Sequence, residues 1–473
     1  MNKLIAPLAP LAALAASAAM LWFGTGLHPL WALTWLAPLP VLWAAARLPL
    51  LPALGLAAAA WLIGACNEWS FVHGRIGMPL TMVLGFVVQP TLVFCLAVGA
   101  WRYALQRGAP LRAALAYAGV LAGAGFATQR LSPHSTWGSL AYSQMDCLPV
   151  LQAAALGGVA AVTFLVGFAP AALAAAALGP AAPRRRLFLA GGTLALLAAV
   201  TAWGAWRLQQ PAGPEVKVGL IASDLERNLF VKDAAGRQAL FAGYSAKAAE
   251  LIGQGAQLVV IPEKIARMYD DTIAEIDAPF SLAAAQGAVI VVGVERWSGA
   301  DKLNEARIYG PQGLWDTYEK RHMIPLFESE LKVGTSRTLL PHASGLWGVQ
   351  ICKDLDFPEL SREYGNDGIG LLLVPAWDFI DDGWLHDRMA VMRGVESGFS
   401  IARAPKQGLL TLSDSRGRVL AQAPTDGAEF TSLLGSVPVR HEPTLYAAWG
   451  DWFSWLVLGL LILSLLSILG RQR

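Results

Sequence analysis

Residues 346–360 read Leu-Trp-Gly-Val-Gln-Ile-Cys-Lys-Asp-Leu-Asp-Phe-Pro-Glu-Leu. The first six are mostly apolar, as in a buried strand, and Cys352 follows them directly. Four further apolar runs have strand length and end at Gly, Pro or polar residues: 216–222, 258–261, 288–294 and 371–374. Apolar residues at helical spacing predict helices over 233–252 and 386–399. Alternating strands and helices predict a layered α/β domain.

The sequence on both sides of this domain is strongly apolar. Of 473 residues, 55% are apolar and 15% are charged, against about 25% charged in soluble proteins, and mean hydropathy is +0.46. These values exclude a wholly soluble protein, a disordered chain and a nucleic-acid binder. The net charge of +2 indicates no bulk electrostatic partner, and four cysteines make no disulfide framework.

Eight apolar runs are long enough to suggest membrane spans, which need about 20 residues. They cover 4–23, 29–46, 48–66, 78–101, 113–128, 148–179, 187–206 and 452–470. The prediction is a multi-span α-helical membrane bundle of about eight helices plus one α/β domain. Its parts are a seven-helix region (1–207), an extra-cytoplasmic domain (208–445) and a C-terminal span (446–473). A cleaved signal peptide is the alternative for the first run, although further spans follow it almost at once.

The distribution of basic residues predicts the orientation. With the N-terminus in the cytoplasm, ten basic residues fall on the cytoplasmic side and three on the other. The ten are Lys3, Arg47, Arg102, Arg107, Arg112, Arg184, Arg185, Arg186, Arg471 and Arg473. The three are Arg75, Arg130 and Arg207. Both termini are therefore expected in the cytoplasm, and the α/β domain in the periplasm of a bacterium with this protein in its inner membrane.

Three reactive side chains lie at or near the ends of predicted strands. Glu263 follows Leu-Val-Val-Ile-Pro, Cys352 follows the strand quoted above, and Lys320 lies in Asp-Thr-Tyr-Glu-Lys-Arg-His. A thiol becomes a good nucleophile when a base takes its proton, and a buried carboxylate is such a base. A lysine ammonium lowers the thiol pKa and stabilises an oxyanion. Together they form an acyl-transfer site without metal or cofactor, although each alone has an ordinary structural explanation.

The order of these residues and their flanking sequences resemble the nitrilase superfamily. The matching features are Pro-Glu after a buried strand, Tyr-x-Lys-x-x-x-x-Pro at 318–325, and Cys352 followed closely by Phe-Pro-Glu-Leu. The membrane layout narrows the resemblance to the apolipoprotein N-acyltransferase family. The stretch 135–144, Ser-Thr-Trp-Gly-Ser-Leu-Ala-Tyr-Ser-Gln, and the pair Gly157-Gly158 are similar to the membrane part of that family. The resemblance implies an α-β-β-α nitrilase-like sandwich for the α/β domain.

The resemblance also implies roles for individual residues. Glu263 is expected to be the general base, Lys320 to stabilise the oxyanion, and Cys352 to carry the acyl group. Glu328 lies eight residues after the lysine, as a supporting glutamate does in the family. The backbone N–H of Lys353 is expected to be a second oxyanion donor.

Several residues depart from the pattern of the family. Lys353 and Asp354 stand where an aromatic residue and a glutamate are usual, so Lys353 adds a cation that would favour the thiolate or bind an anionic headgroup. The segment 375–384 fits the usual Asn-Asp-x-Trp only loosely. The expected substrate-binding side chains are apolar residues of loops: Phe327, Trp377, Phe379 and Trp384. Each of them could equally be a core residue.

The expected function is transfer of an acyl chain from a phospholipid, through a cysteine thioester, to the N-terminal amine of a diacylglyceryl lipoprotein. The family implies these substrates, whereas the residues themselves indicate only a thiol acyl-transfer site in a membrane protein. One alternative is a membrane-tethered amidase or hydrolase, or an acyltransferase with another amine acceptor. A second is a non-catalytic binding protein, against which the intact Glu-Lys-Cys set argues.

Overall fold

A computed structural model describes residues 8–223, 233–426 and 428–469. Lys3, Arg471, Arg473 and the first residues of the run 4–23 lie outside this part of the chain. Internal contacts divide the chain into two compact units. One consists of Met1–Gln209 and Trp449–Arg473, and the other of Gln210–Ala448.

The first unit is built from apolar helices. Five are long and apolar enough to cross a membrane: Leu50–Glu68, Leu80–Gln106, Pro110–Leu131, Ala154–Leu178 and Pro183–Leu208. Three shorter apolar helices coincide with the other predicted spans: Leu8–Gly24, Trp31–Ala45 and Trp452–Ser467. This is the helical region of a membrane protein, and the count of eight spans stays a prediction. The four cysteines are free thiols.

One helix, Ala154–Leu178, is largely buried inside this unit. The predicted run 148–179 is not one continuous helix. Its first residues form a separate short helix, Leu148–Leu151, which ends before Ala154–Leu178 begins. The backbone also leaves helical geometry at Gly157 and Gly158. Gly158 has a φ of +65°, a conformation that glycine adopts at low cost. A Cβ on Gly157 would come within 2.7 Å of the Phe453 Cβ, so the break also permits close packing.

The second unit contains thirteen described strands in two sheets. They are β1 Glu215–Ser223, β2 Leu258–Ile261, β3 Arg267–Tyr269, β4 Val289–Ser298, β5 Asp301–Gly310, β6 Gly313–Glu319, β7 Leu339–His342, β8 Gly345–Val349, β9 Leu371–Trp377, β10 Ser400–Lys406, β11 Leu409–Ser413, β12 Val419–Pro424 and β13 Phe430–Pro438. The first sheet has the order β13-β1-β2-β4-β5-β6, with β3 paired to β4. The second has the order β12-β11-β10-β9-β8-β7. Strands β1, β2 and β4 are parallel, as are β8, β9 and β10.

The two sheets pack face to face between helices. Alternate residues of β1, Val216, Val218 and Leu220, share one core with Trp347 and Val349 of β8. The outer face of the first sheet packs against helices Ala234–Gly253 and Ala274–Ala284. The outer face of the second packs against Pro358–Asp367 and Gly383–Ser397. Because side chains alternate along a strand, strands buried on both faces are apolar throughout. The predicted α-β-β-α sandwich is confirmed.

Several element boundaries differ from the sequence prediction, and two of them lie close to candidate site residues. The helix expected over 386–399 spans Gly383–Ser397, because Gly398 has a φ of +80° and ends it. The strand before Cys352 ends at Val349. Ile351 is still extended, and the chain changes direction at Cys352, which begins a 3-10 helix beyond the end of the strand.

Candidate active site

Glu263 follows the end of β2 and is almost completely buried. Its backbone N–H donates to the Ala376 carbonyl at the end of β9, which links the two sheets of the sandwich. Gly293 of β4 lies directly against it, since a Cβ there would be 2.4 Å from the Glu263 Cα. The position of this carboxylate is therefore fixed by close backbone packing.

A hydrogen-bond network joins two buried carboxylates to one lysine. The Lys320 Nζ donates to Glu263 Oε1 and to Glu328 Oε2, each at 2.8 Å. The Asn304 Nδ2 donates to Glu263 Oε1 at 2.6 Å and to Glu328 Oε1 at 2.9 Å. The Lys264 Nζ donates to Glu328 Oε1 at 2.5 Å. The structure thus brings together Glu263, Lys320 and Glu328.

The charges in this network stabilise one another. Burial disfavours the charged form of Lys320. The carboxylates of Glu263 and Glu328 more than offset the effect of burial, so the pKa of Lys320 lies well above its ordinary value. Burial likewise opposes ionisation of Glu328, and Lys320 and Lys264 overcome it, so that its pKa falls to about 2. Lys320 is therefore a cation and Glu328 an anion at neutral pH.

Cys352 begins a short 3-10 helix, Cys352–Asp356, and has a φ of +44°. This left-handed conformation is strained for a non-glycine residue and is often found at functional sites. The thiol lies 3.4 Å from the Trp377 carbonyl. Burial, followed by the charge of Glu263, raises the pKa of Cys352 well above its ordinary value, although Lys320 acts in the opposite direction. The resting sulfur is a thiol, so attack requires a base to take its proton.

The Asp354 carboxylate forms hydrogen bonds both to the residue before Cys352 and to the residues after Lys320. Its Oδ1 accepts from the backbone N–H groups of Arg321 and His322, at 3.1 and 2.9 Å. Its Oδ2 accepts from the Ile351 N–H at 3.1 Å and from the Tyr318 hydroxyl at 2.7 Å. A fully buried carboxylate thus sets the position of Lys320 relative to Cys352.

Lys353 has a different environment from the one expected. Its side chain is 5% exposed, and its Nζ lies 2.7 Å from Asp356 Oδ2. The neighbouring carboxylate thus pairs with this cation. The expectation that Lys353 favours the thiolate or binds an anionic headgroup stays a prediction.

The four expected substrate-binding residues lie in three different environments. The rings of Phe327 and Phe379 lie 5.7 Å apart, and Phe327 is 54% exposed. Trp377 touches the thiol through its carbonyl, and its ring has the Lys264 Nζ at 5.5 Å and the Lys406 Nζ at 4.5 Å. Trp384 packs instead under the Arg388 guanidinium, 5.3 Å away.

Comparisons with known proteins agree with this architecture. A family model for the apolipoprotein N-acyltransferase N-terminal domain matches residues 17–172, and a carbon-nitrogen hydrolase model matches 228–432. The apolipoprotein N-acyltransferase of Gloeobacter violaceus is 26% identical, over 93% of this chain and 81% of the relative. That of Synechocystis is 28% identical over 93% and 85%. That of Geobacter metallireducens is 27% identical over 67% of each.

The chain is similar to apolipoprotein N-acyltransferases over most of its length. Among solved structures, it is also similar to an amidase of the nitrilase superfamily from Nesterenkonia. The sequence identity is 18% and the TM-score is 0.41, over 49% of this chain and 93% of the amidase.

Two polar residues of the site were missed by sequence reasoning. Asn304 lies in β5, and a polar residue in an otherwise buried strand was the available signal. Lys264 directly follows Glu263, yet no sequence pattern indicated that its side chain would reach Glu328. Within the described part of the chain, no group of three or more His, Cys, Asp or Glu is arranged to hold a metal.

Proposed function

We propose that this chain is an N-acyltransferase that moves an acyl chain from a phospholipid, through a thioester on Cys352, to the N-terminal amine of a diacylglyceryl lipoprotein. One observation carries the proposal. The buried Glu263–Lys320–Glu328 network lies close enough to Cys352 for the charges of Glu263 and Lys320 to act on its thiol. The membrane helices of the same chain and the names of its relatives support lipid substrates.

In the first step, the Glu263 carboxylate takes the proton of the Cys352 thiol as the sulfur attacks the ester carbonyl carbon of the phospholipid. The Lys320 ammonium and the backbone N–H of Lys353 stabilise the resulting oxyanion. Collapse of this intermediate breaks the ester C–O bond. The departing lysophospholipid oxygen takes the proton from Glu263, which leaves a thioester and a carboxylate.

In the second step, the lipoprotein amine attacks the thioester carbon and Glu263 accepts a proton from its nitrogen. The C–S bond breaks, and the Cys352 sulfur takes that proton back. The products are an amide and the free thiol, so the enzyme returns to its starting state. Both substrates stay in the bilayer, which avoids exposing acyl chains to water at about 0.8 kcal/mol per CH₂.

The proposed topology follows from the charge distribution. Residues 1–207 would form seven spans and 446–473 an eighth, with 208–445 in the periplasm and both termini in the cytoplasm. Ten basic residues against three support this orientation. Labelling of single introduced cysteines with a membrane-impermeant reagent tests it, and cytoplasmic labelling of residues 210–448 would contradict both the topology and the lipoprotein acceptor.

A second candidate is a hydrolase, or an acyltransferase with a different amine acceptor. The observation that favours it is the contact between the thiol and Trp377, which lies in the segment 375–384 that departs from the family pattern. The contact is made by a main-chain oxygen and places this segment beside the sulfur, so its departures from the family pattern would bear on how the acceptor approaches. The chemistry of acylation would be the same, with water or another amine in the second step.

One assay separates these functions. Purified full-length protein is incubated with acyl-labelled phospholipid and a diacylated lipopeptide, and wild type is compared with Cys352→Ser and with the control Cys95→Ser. We expect labelled triacyl lipopeptide from wild type and from the control, and none from Cys352→Ser. Labelled free fatty acid without lipopeptide acylation would instead identify a hydrolase. Absence of label on protein and products alike would refute catalysis by this site.

A further inference from the structure

Lys264 has no part in the mechanism described above, yet it contacts the catalytic network. Its Nζ lies 2.5 Å from Glu328 Oε1, and its side chain is 10% exposed. Its φ of +49° places it in the left-handed region, which is strained for a non-glycine residue. A lysine held in this conformation directly after the base indicates that its ammonium has a use there.

Without Lys264, the network would hold two carboxylates and one ammonium. Glu263 and Glu328 share the donor Nδ2 of Asn304 and the Nζ of Lys320, so their carboxylates are close neighbours. Two carboxylates that share a buried site repel each other, and the pair tends to retain one proton. A proton retained by this pair would block the base before any substrate arrives.

Lys264 balances the charge of the network and decides which of the two carboxylates stays ionised. It brings the network to two ammonium groups and two carboxylates, so that neither carboxylate needs a proton. It also contacts Glu328 and not Glu263, which fixes Glu328 as the permanent anion. A proton accepted during the reaction then goes to Glu263, the carboxylate whose charge acts directly on the Cys352 thiol.

We propose that Lys264 is a positioning residue that holds Glu328 ionised and thereby reserves Glu263 as the base for Cys352. The inference deepens the proposed function and rests on it. The charged groups that act on the thiol are Glu263, Lys320, Asp378 and Arg403, and those that act on Glu328 are Lys320 and Lys264. Of the two lysines that act on Glu328, Lys264 is the one whose charge can be removed without touching the base, the oxyanion lysine or the nucleophile.

The test compares Lys264→Asn with Lys264→Arg in the full-length protein. Asparagine tolerates the left-handed backbone better than lysine does, so it removes the charge without adding backbone strain. Arginine keeps the charge. The readout is the rate at which iodoacetamide alkylates Cys352 as a function of pH, followed by mass spectrometry of the peptide that contains Cys352. This rate needs no lipid substrate.

In wild type, the alkylation rate should fall at acid pH as the base becomes protonated. In Lys264→Asn, we expect the midpoint of this fall to move up by about one pH unit, the effect of removing a unit charge within about 10 Å at an effective dielectric constant near 20. In Lys264→Arg, the midpoint should stay within about 0.3 unit of wild type. A merely structural role would lower the folded fraction without moving the midpoint.

Coincident profiles of wild type and Lys264→Asn would overturn the inference, as would an ordinary thiol titration near pH 8.5 in all three proteins. Failure of the proposed function has a different signature. In that case Cys352 would respond to Lys264 as described, but the protein would not acylate a lipopeptide.

Discussion

Glu328 offers the sharpest test of the buried network, because its charge can be removed with almost no change in shape. Glu328→Gln replaces the carboxylate by a neutral amide of the same size. Lys320 and Lys264 then lose the carboxylate that compensates their buried charges. Breaking a buried ion pair by removing one partner is strongly destabilising. We therefore expect a large loss of stability as well as a loss of activity.

The pKa of Glu328 gives the size of the stability effect. Folding lowers this pKa from 4.5 to about 2, which corresponds to about 3 kcal/mol of stability. Because the folded pKa is depressed, this contribution is fully present above pH 4.5 and is lost as the pH falls through 2. At pH 4 most of it should remain.

The free energy of unfolding of the catalytic unit can be measured by pulse proteolysis of the full-length protein in urea, at pH 7.5 and pH 4. Glu330→Gln is the matched control, because this exposed glutamate lies two residues away and pairs with Lys302 at the surface. We expect Glu330→Gln to unfold at the same urea concentration as wild type, within measurement. If Glu328→Gln were as stable as wild type at pH 7.5, the argument that Glu328 is a buried anion held by two lysines would be wrong.

Three further predictions concern neighbouring features. Asp354→Asn should lower kcat for acyl transfer roughly 100-fold, because Asp354 sets the position of Lys320 relative to Cys352, and a displacement of about 1 Å has this cost; unchanged kcat would contradict this role. Gly293→Ala should destabilise the protein by about 1–3 kcal/mol and reduce activity, since its Cβ would meet the Glu263 backbone, whereas Gly253→Ala, which meets open space, should do neither. Phe327→Ser should raise the KM for long-chain phospholipid without changing alkylation of Cys352 by iodoacetamide, because this ring is exposed beside Phe379; an unchanged KM would show that the ring does not bind lipid.

Much of the fold could be predicted because burial determines the pattern of the sequence. Membrane helices and doubly buried strands require continuous apolar runs, and these stand out at 78–101 and 258–261. Element ends were less predictable, since a single residue in a left-handed conformation decides them. Gly398 ends its helix two residues before the apolar pattern does. At the break in the helix, Gly157 packs closely against Phe453, which lies far away in the sequence.

For the site, Glu263, Lys320, Glu328 and Cys352 could be selected because each lies close to a strand end or at a family spacing. The residues that pair with these groups and set their charges could not be selected from the sequence. Whether Lys353 is open to a ligand depends on Asp356, three residues further on, and whether Lys264 matters depends on a glutamate 64 residues away. Such pairings follow from the folded backbone and leave no local sequence pattern.

The central claim is that Cys352 carries the acyl group between the two substrates, and one measurement tests it directly. Full-length protein is incubated with a phospholipid of defined acyl chain, and its intact mass and the peptide that contains Cys352 are analysed before and after addition of a diacylated lipopeptide. We expect an added mass of one acyl chain at Cys352, which hydroxylamine should remove. The lipopeptide should discharge it with formation of one triacyl product per thioester. An unmodified Cys352 under turnover, or a thioester that persists when the lipopeptide is added, would contradict the account.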